Sequence, residues 1–132
     1  MYSDNFFTKE YDLHLAICNY ISCYYPDVIF TSDLSGIKMS IGQALKIKNL
    51  KSSKGIPDLL ILEPRKGYSG LFIELKLNRS KVYKKNGEIK ADKSGHLENQ
   101  LEILNRLKEK GYYTCFGLGY SSTLDIIRDY LT

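Results

Sequence analysis

The chain has 132 residues, with 19 Lys and Arg against 15 Asp and Glu for a formal charge of +4, and a chain of that length builds one packed domain without disulfide or structural-metal support. Eleven tyrosines, no tryptophan, and the lack of internal repeats or low-complexity tracts argue against a disordered or solenoid chain. No apolar run approaches the roughly 20 residues of a membrane span, and the opening MYSDNFFTKEYD has no basic-then-apolar leader, so a single soluble domain over 1–132, cytoplasmic and without a membrane partner, is expected.

Residues 7–25 read as a helix, with Leu13, Ile17, Tyr20, Ile21 and Tyr24 at 3–4 spacing and Pro26 as its stop. Glu10 lies on that same apolar stripe. His14, Cys18 and Cys23 also fall in this helix, but they supply three ligands and no CxxC, so core packing is preferred to a zinc site. With Cys115 the cysteine count is odd, which fits a reducing compartment. DVIFT (27–31) is a short strand. SIGQALKIKNLK (40–51) predicts a helix or helical loop with Ile41, Leu45 and Leu50 inward and lysines outward, weakened by Gly42.

DLLIL (58–62) and GLFIELKL (70–77) are strands joined by EPRKGYS, whose Pro64 and Gly67 mark a turn. VYKKNGEIK (82–90) centres on Asn86-Gly87, the dipeptide favoured in a type I′ turn, and predicts a small projecting hairpin outside the core. SGHLENQLEILNRLKEKG (94–111) is a helix with Leu97, Leu101, Leu104 and Leu107 as its stripe and Gly111 just past its end. YYTCFGL (112–118) is a strand. A last helix follows Ser121 or Ser122 as N-cap, with Leu124, Ile127 and Leu131 inward. The order predicts an α/β domain, a mixed sheet flanked by helices.

Charge is segregated along this order. Residues 37–54 hold five lysines and no acid, and residues 76–93 hold seven basic residues against Glu88 and Asp92. Each segment is a local +5, so the rest of the +4 chain is net negative by 6. Either segment alone reads as solvated surface. Together, with Lys46, Lys48, Lys51 and Lys54 in one and Lys81, Lys84 and Lys85 in the other, they suit a polyanion such as nucleic acid.

Between them stand two carboxylates in apolar strands. Alternation sends Leu71, Ile73, Leu75 and Leu77 to one face of 70–77 and Phe72, Glu74 and Lys76 to the other. If 58–62 pairs antiparallel with 70–77 about a turn near 66–67, Asp58 faces Glu74 or Lys76, or lies one place off register. Like charges at that distance destabilise a sheet unless a cation lies between them. Two hard carboxylates with positions left for water and phosphate describe a Mg²⁺ or Mn²⁺ site. A Lys76 salt bridge to either acid on an exposed face is the competing reading.

Gly55-Ile56-Pro57-Asp58, then Ile73-Glu74-Leu75-Lys76 with Glu74 sixteen residues after Asp58, then Gln100 in a helix ending in Leu104, Leu107 and Gly111, resembles the PD-(D/E)xK nuclease signature and, more narrowly, the VRR-NUC family over roughly residues 7–131. The resemblance implies a restriction-endonuclease-like core and a metal-dependent endonuclease acting on DNA, on branched forms such as flaps or four-way junctions, and working as a homodimer. It also leaves room for a phage-encoded protein. It implies that Asp58, Glu74 and the Leu75 carbonyl hold the metal, that Lys76 assists the attacking water or the transition state, and that Glu10 reaches the cluster directly or through water. Gln100 would position Lys76 or the water, and His96, one turn earlier, would contact a phosphate. The long basic stretch 77–95 departs from shorter family members. A non-catalytic or RNA-directed nucleic-acid-binding module on the same fold is the alternative.

Overall fold

A computed structural model describes residues 6–34 and 37–132. Residues 1–5, on which part of the leader reading rests, and Ser35-Gly36 lie outside the described residues.

The elements follow the predicted order: α1 (Glu10–Tyr24), β1 (Phe30–Ser32), α2 (Ile41–Lys48), β2 (Leu59–Ile61), β3 (Leu71–Lys76), a 3-10 turn (Arg79–Lys81), α3 (His96–Glu109), β4 (Tyr113–Leu118) and α4 (Tyr120–Leu131). The sheet runs β1-β2-β3-β4. β1 and β2 are antiparallel, as are β2 and β3. β3 and β4 are parallel, with α3 as the crossover between them. This is the expected mixed α/β sheet.

Each apolar pattern selects its layer. Leu13, Ile17 and Ile21 of α1 pack with Leu59, Ile61, Leu71, Ile73 and Leu75 and with Tyr120, Leu124, Ile127 and Leu131 of α4, forming the main core on one sheet face. On the other face Leu97 and Leu104 of α3 pack on Phe116 and Val82. Thr114 Oγ1 donates to the Leu104 carbonyl at 2.8 Å, tying α3 to β4. β3 is thus covered on both sides, and Glu74 in its middle is only 5% exposed.

Several local expectations are corrected. β1 starts at Phe30 rather than residue 27, because Val28 N–H closes a turn onto the Tyr25 carbonyl at 3.0 Å. α2 is helical, with a capping box between Ser40 and Gln43, but none of its residues is buried. Ile41 is 90% and Leu50 85% exposed, and Leu45 is exposed too, opposite to the inward placement their spacing suggests. α4 begins at Tyr120 with Gly119 as its N-cap residue, because Gly119 N–H is held by the Lys76 carbonyl at the end of β3. Neither Ser121 nor Ser122 caps it.

The two turns exchange types. Lys66 and Gly67 both have positive φ, 53° and 86°, and Arg65 and Tyr68 exchange backbone hydrogen bonds across them, so the β2–β3 hairpin closes on a two-residue I′ loop. Asn86 keeps a negative φ, since Lys66 is the one non-glycine positive-φ residue among those described. Gly87 N–H bonds to the Lys84 carbonyl, and Lys84 N–H to that of Glu88. The hairpin at 82–90 is therefore a turn followed by a left-handed glycine, a bulged closure. Nor is it wholly outside the core, for Val82 is fully buried at its base.

Candidate active site

The β2–β3 register pairs Leu59 with Ile73, and one step further brings Asp58 opposite Glu74. The ladder stops there. Leu75 N–H, beyond the last strand pair, is taken by Asp58 Oδ2 at 2.9 Å, which fixes the Asp58 carboxylate and leaves its other oxygen available. The Leu75 carbonyl leaves the strand on the same edge as its N–H. Glu74 and Lys76 share a strand face as alternation predicts, with Lys76 Nζ at 4.0 Å from Glu74 Oε2, the outer limit of an ion pair.

From α3, Gln100 Nε2 donates to Glu74 Oε2 at 3.1 Å. Its other amide atom, Oε1, is buried with no hydrogen-bond partner. Such an orphan marks a place for a polar atom that the chain itself does not supply.

The electrostatics are those of an acid pair short of a cation. Burial first, then the Asp58 charge and a hydrogen bond shared with Asp58, push the Glu74 carboxyl from 4.5 up to about 9, against the pull of Lys76. Burial and the neighbouring acid therefore hold the Glu74 carboxyl protonated well above the usual carboxylate range. Glu10 stands at the open rim, its carboxyl raised by partial burial and by Asp58 while Lys76 and Lys81 oppose the shift. Among the described residues no three His, Cys, Asp or Glu side chains form a metal-ligand group. The acids meet as a pair, and Glu10 as a direct third ligand is not assembled.

An open cleft of about 340 Å³ gathers Glu10, Asp58, Glu74, Lys76, His96 and Gln100 with Lys54. A neighbouring recess shares Lys76, His96 and Gln100 and adds Lys81, Lys90 and Lys93. The other expected phosphate contacts are placed elsewhere. Lys48 and Lys51 line a groove beside α2, and Lys51 is ion-paired with Asp33, so its charge is already engaged. Lys46, Lys84 and Lys85 line neither cleft nor recess.

Asn99, His14 and Cys18 make contacts around the site that the sequence pattern did not assign. Asn99 Nδ2 donates to the Lys54 carbonyl at 3.2 Å, pinning the segment before Asp58 to α3. Gly55 fits beneath it, with φ 86° and space so tight that a Cβ would lie 2.4 Å from Asn99 Nδ2. His14 lies near enough to feel the Asp58 charge, although burial lowers its pKa overall, and its Nε2 is 2.9 Å from Ser32 Oγ. Cys18 Sγ is 3.8 Å from the same hydroxyl. The Asn99–Lys54 contact bridges 45 residues, so no local pattern announces it. Lys90 and Lys93 were part of the counted basic run and could have been found there.

A divalent cation fits these residues. An all-oxygen set from Asp58, Glu74 and the Leu75 carbonyl is donor chemistry of the kind that suits Mg²⁺ or Mn²⁺.

No protein-family model matches the sequence, and no curated protein matches it. In three dimensions the chain is similar to a solved structure described as a VRR_NUC domain protein, with a TM-score of 0.59 over 92% of this chain and 87% of that one at 21% identity. No helix among the described residues is long and apolar enough to cross a membrane. The chain therefore has a VRR-NUC-like α/β fold, as Gly55-x-Pro57-Asp58, Glu74-x-Lys76 and Gln100 suggested.

Proposed function

We propose that this protein is a divalent-metal-dependent nuclease that hydrolyses DNA phosphodiesters, preferring branched DNA such as flaps or four-way junctions. The observation that carries the reading is the Asp58–Glu74 pair. Two carboxylates meet at the end of a strand ladder with Lys76 on the same face and Gln100 bonded to Glu74, inside a cleft with Lys54 and His96 at its edge.

Asp58, Glu74 and the Leu75 carbonyl would hold Mg²⁺ or Mn²⁺, with Glu10 acting through water from the rim. The ion would supply Lewis acidity toward a phosphate oxygen and a bound water of lowered pKa. Lys76 offsets the negative charge that builds on the phosphoryl oxygens as the P–O bond breaks. Gln100 anchors Glu74 through its Nε2 and offers its free Oε1 to the attacking water. Lys54, Lys81 and His96 grip flanking phosphates, contacts that position the backbone without reading bases. Selection of branched substrates by shape is supported by basic side chains that line the cleft and its neighbouring recess and suit phosphate contacts rather than base edges. A two-fold dimer would present two clefts to a four-way junction, and light scattering checks that assembly.

The test is incubation with labelled single-stranded, duplex, flap and four-way DNA in Mg²⁺, Mn²⁺ and EDTA. Cleavage of branched DNA in either metal and none in EDTA is expected. Cleavage in EDTA would overturn the metal assignment, and binding without cleavage of any substrate would return the protein to the class of binding modules.

A further inference from the structure

A groove of about 620 Å³ runs between α2 and the segment 51–55. Its walls carry Lys38, Lys48, Lys51 and Lys54 and no acid, and apolar side chains, Met39 and Ile47 among them, line it. Lys54 and Gly55 belong to both this groove and the catalytic cleft, so the two adjoin at that segment. Lys51 is held by Asp33, which leaves Lys38, Lys48 and Lys54 to face a ligand.

Both features are needed to identify the occupant. A cationic rim alone suits any phosphate backbone. An apolar lining between lysines is of no use to a duplex, whose bases are stacked inside and whose outer surface is phosphate and sugar. An unpaired strand exposes base faces and phosphates together, so a positive groove with an aliphatic lining meets both, the lysines its backbone and Met39 and Ile47 its bases. A protein partner of the same charge complementarity would need an acidic, partly apolar segment, and nothing in the groove's junction with the cleft calls for one.

We propose that this groove binds an unpaired nucleic-acid strand and leads it to or from the catalytic cleft. The proposal rests on the nucleic-acid reading of that cleft and extends it: the substrate class is a duplex carrying a single-stranded branch, with the branch in the groove. Ala44, on the exposed surface of α2, lines the groove, so an acid there repels the strand at only a small cost in helix propensity.

The experiment is fluorescence anisotropy of a labelled oligothymidylate and of a blunt duplex, in EDTA, with wild type, Ala44→Glu, Ala44→Gln and Lys48→Gln. Ala44→Glu should weaken oligothymidylate binding by about tenfold while Ala44→Gln changes it little, and Lys48→Gln should lower the salt slope by about 0.7, one single-strand phosphate contact. Duplex binding should change by no more than about twofold, since its contacts lie elsewhere. Equal losses on both ligands, or oligothymidylate binding unaltered in Ala44→Glu, would overturn the groove. Circular dichroism of each variant checks the fold. Because the assay runs without metal or turnover, its failure leaves the nuclease reading standing, whereas loss of cleavage in Asp58→Asn tests that reading alone.

Discussion

The Leu75 backbone N–H donates to Asp58 Oδ2 at 2.9 Å, and that bond sets the geometry of the acid pair. It takes up one carboxylate oxygen and holds the other beside Glu74, at the point where the β2–β3 ladder ends. Asn at position 58 keeps an oxygen to accept from Leu75 and removes the charge. Asp58→Asn should therefore fold normally, melt in EDTA at or above the wild-type temperature, and lose at least about 100-fold in cleavage rate, the scale of one lost electrostatic contact in a transition state. Wild-type turnover in this variant would refute the site.

The second prediction is a pH dependence. The Glu74 carboxyl titrates from 4.5 when unfolded to about 9 when folded, so between those values the folded chain holds a proton that the unfolded chain releases, and stability falls as pH rises through that window. Metal-free melting temperature should drop across the window, and Glu74→Gln should flatten the drop. Saturating Mg²⁺ or Mn²⁺ should flatten it too, by replacing the Glu74 proton. A wild-type profile in EDTA as flat as that of Glu74→Gln would refute the raised Glu74 titration.

Lys76 stands 4.0 Å from Glu74, too far to neutralise it and close enough to compete with a metal. Lys76→Ala should bind Mn²⁺ as tightly as wild type or more tightly in calorimetry, yet lose about 100-fold or more in rate. Loss of metal binding would give Lys76 a different role.

Asn99 and Gly55 form a steric and polar lock. Asn99→Ala should cost about 1 kcal/mol, one hydrogen bond, and reduce cleavage by loosening the segment that carries Lys54. Gly55→Ala should cost more, since its Cβ strikes Asn99 and its φ is left-handed. In the double variant the clash is gone and only the φ strain remains, so its loss in thermal denaturation should be smaller than the two single losses combined.

The 82–90 hairpin divides into a core base and a free tip. Val82, fully buried, should cost about 1–2 kcal/mol as Val82→Ala. Lys84→Gln with Lys85→Gln should leave stability unchanged, the exposed Lys84–Glu88 pair contributing little, and should lower the duplex salt slope by about 0.9 for each residue that touches phosphate. An unchanged slope would mean that the tip does not meet the substrate.

What the sequence alone determined is the part set by short-range periodicity. The two-residue alternation of 71–76 put Glu74 and Lys76 on one face. The turn near 66–67 narrowed the partner of Asp58 to Glu74, Lys76 or a place between, and the β2–β3 ladder, one residue out of step with the turn, chose Glu74. The leucine stripe after His96 turned Gln100 toward the sheet. These are consequences of strand and helix geometry, and local residue order carries them. What only the tertiary structure decided depends on contacts between distant segments. α2 has a helical pattern in Ile41 and Leu45, but none of its residues is buried, and both of these lie exposed. Asn86-Gly87 is a strong I′ signal, yet burial of Val82 against Leu97 and Phe116 fixes the hairpin base, and Asn86 keeps negative φ while Lys66-Gly67 makes the I′ turn. Lys51 reads as a phosphate contact until Asp33 is found beside it, and Asn99 as a surface amide until it meets the Lys54 carbonyl. Charge and periodicity identify which groups are available, and packing between segments far apart in the chain decides which of them are already engaged.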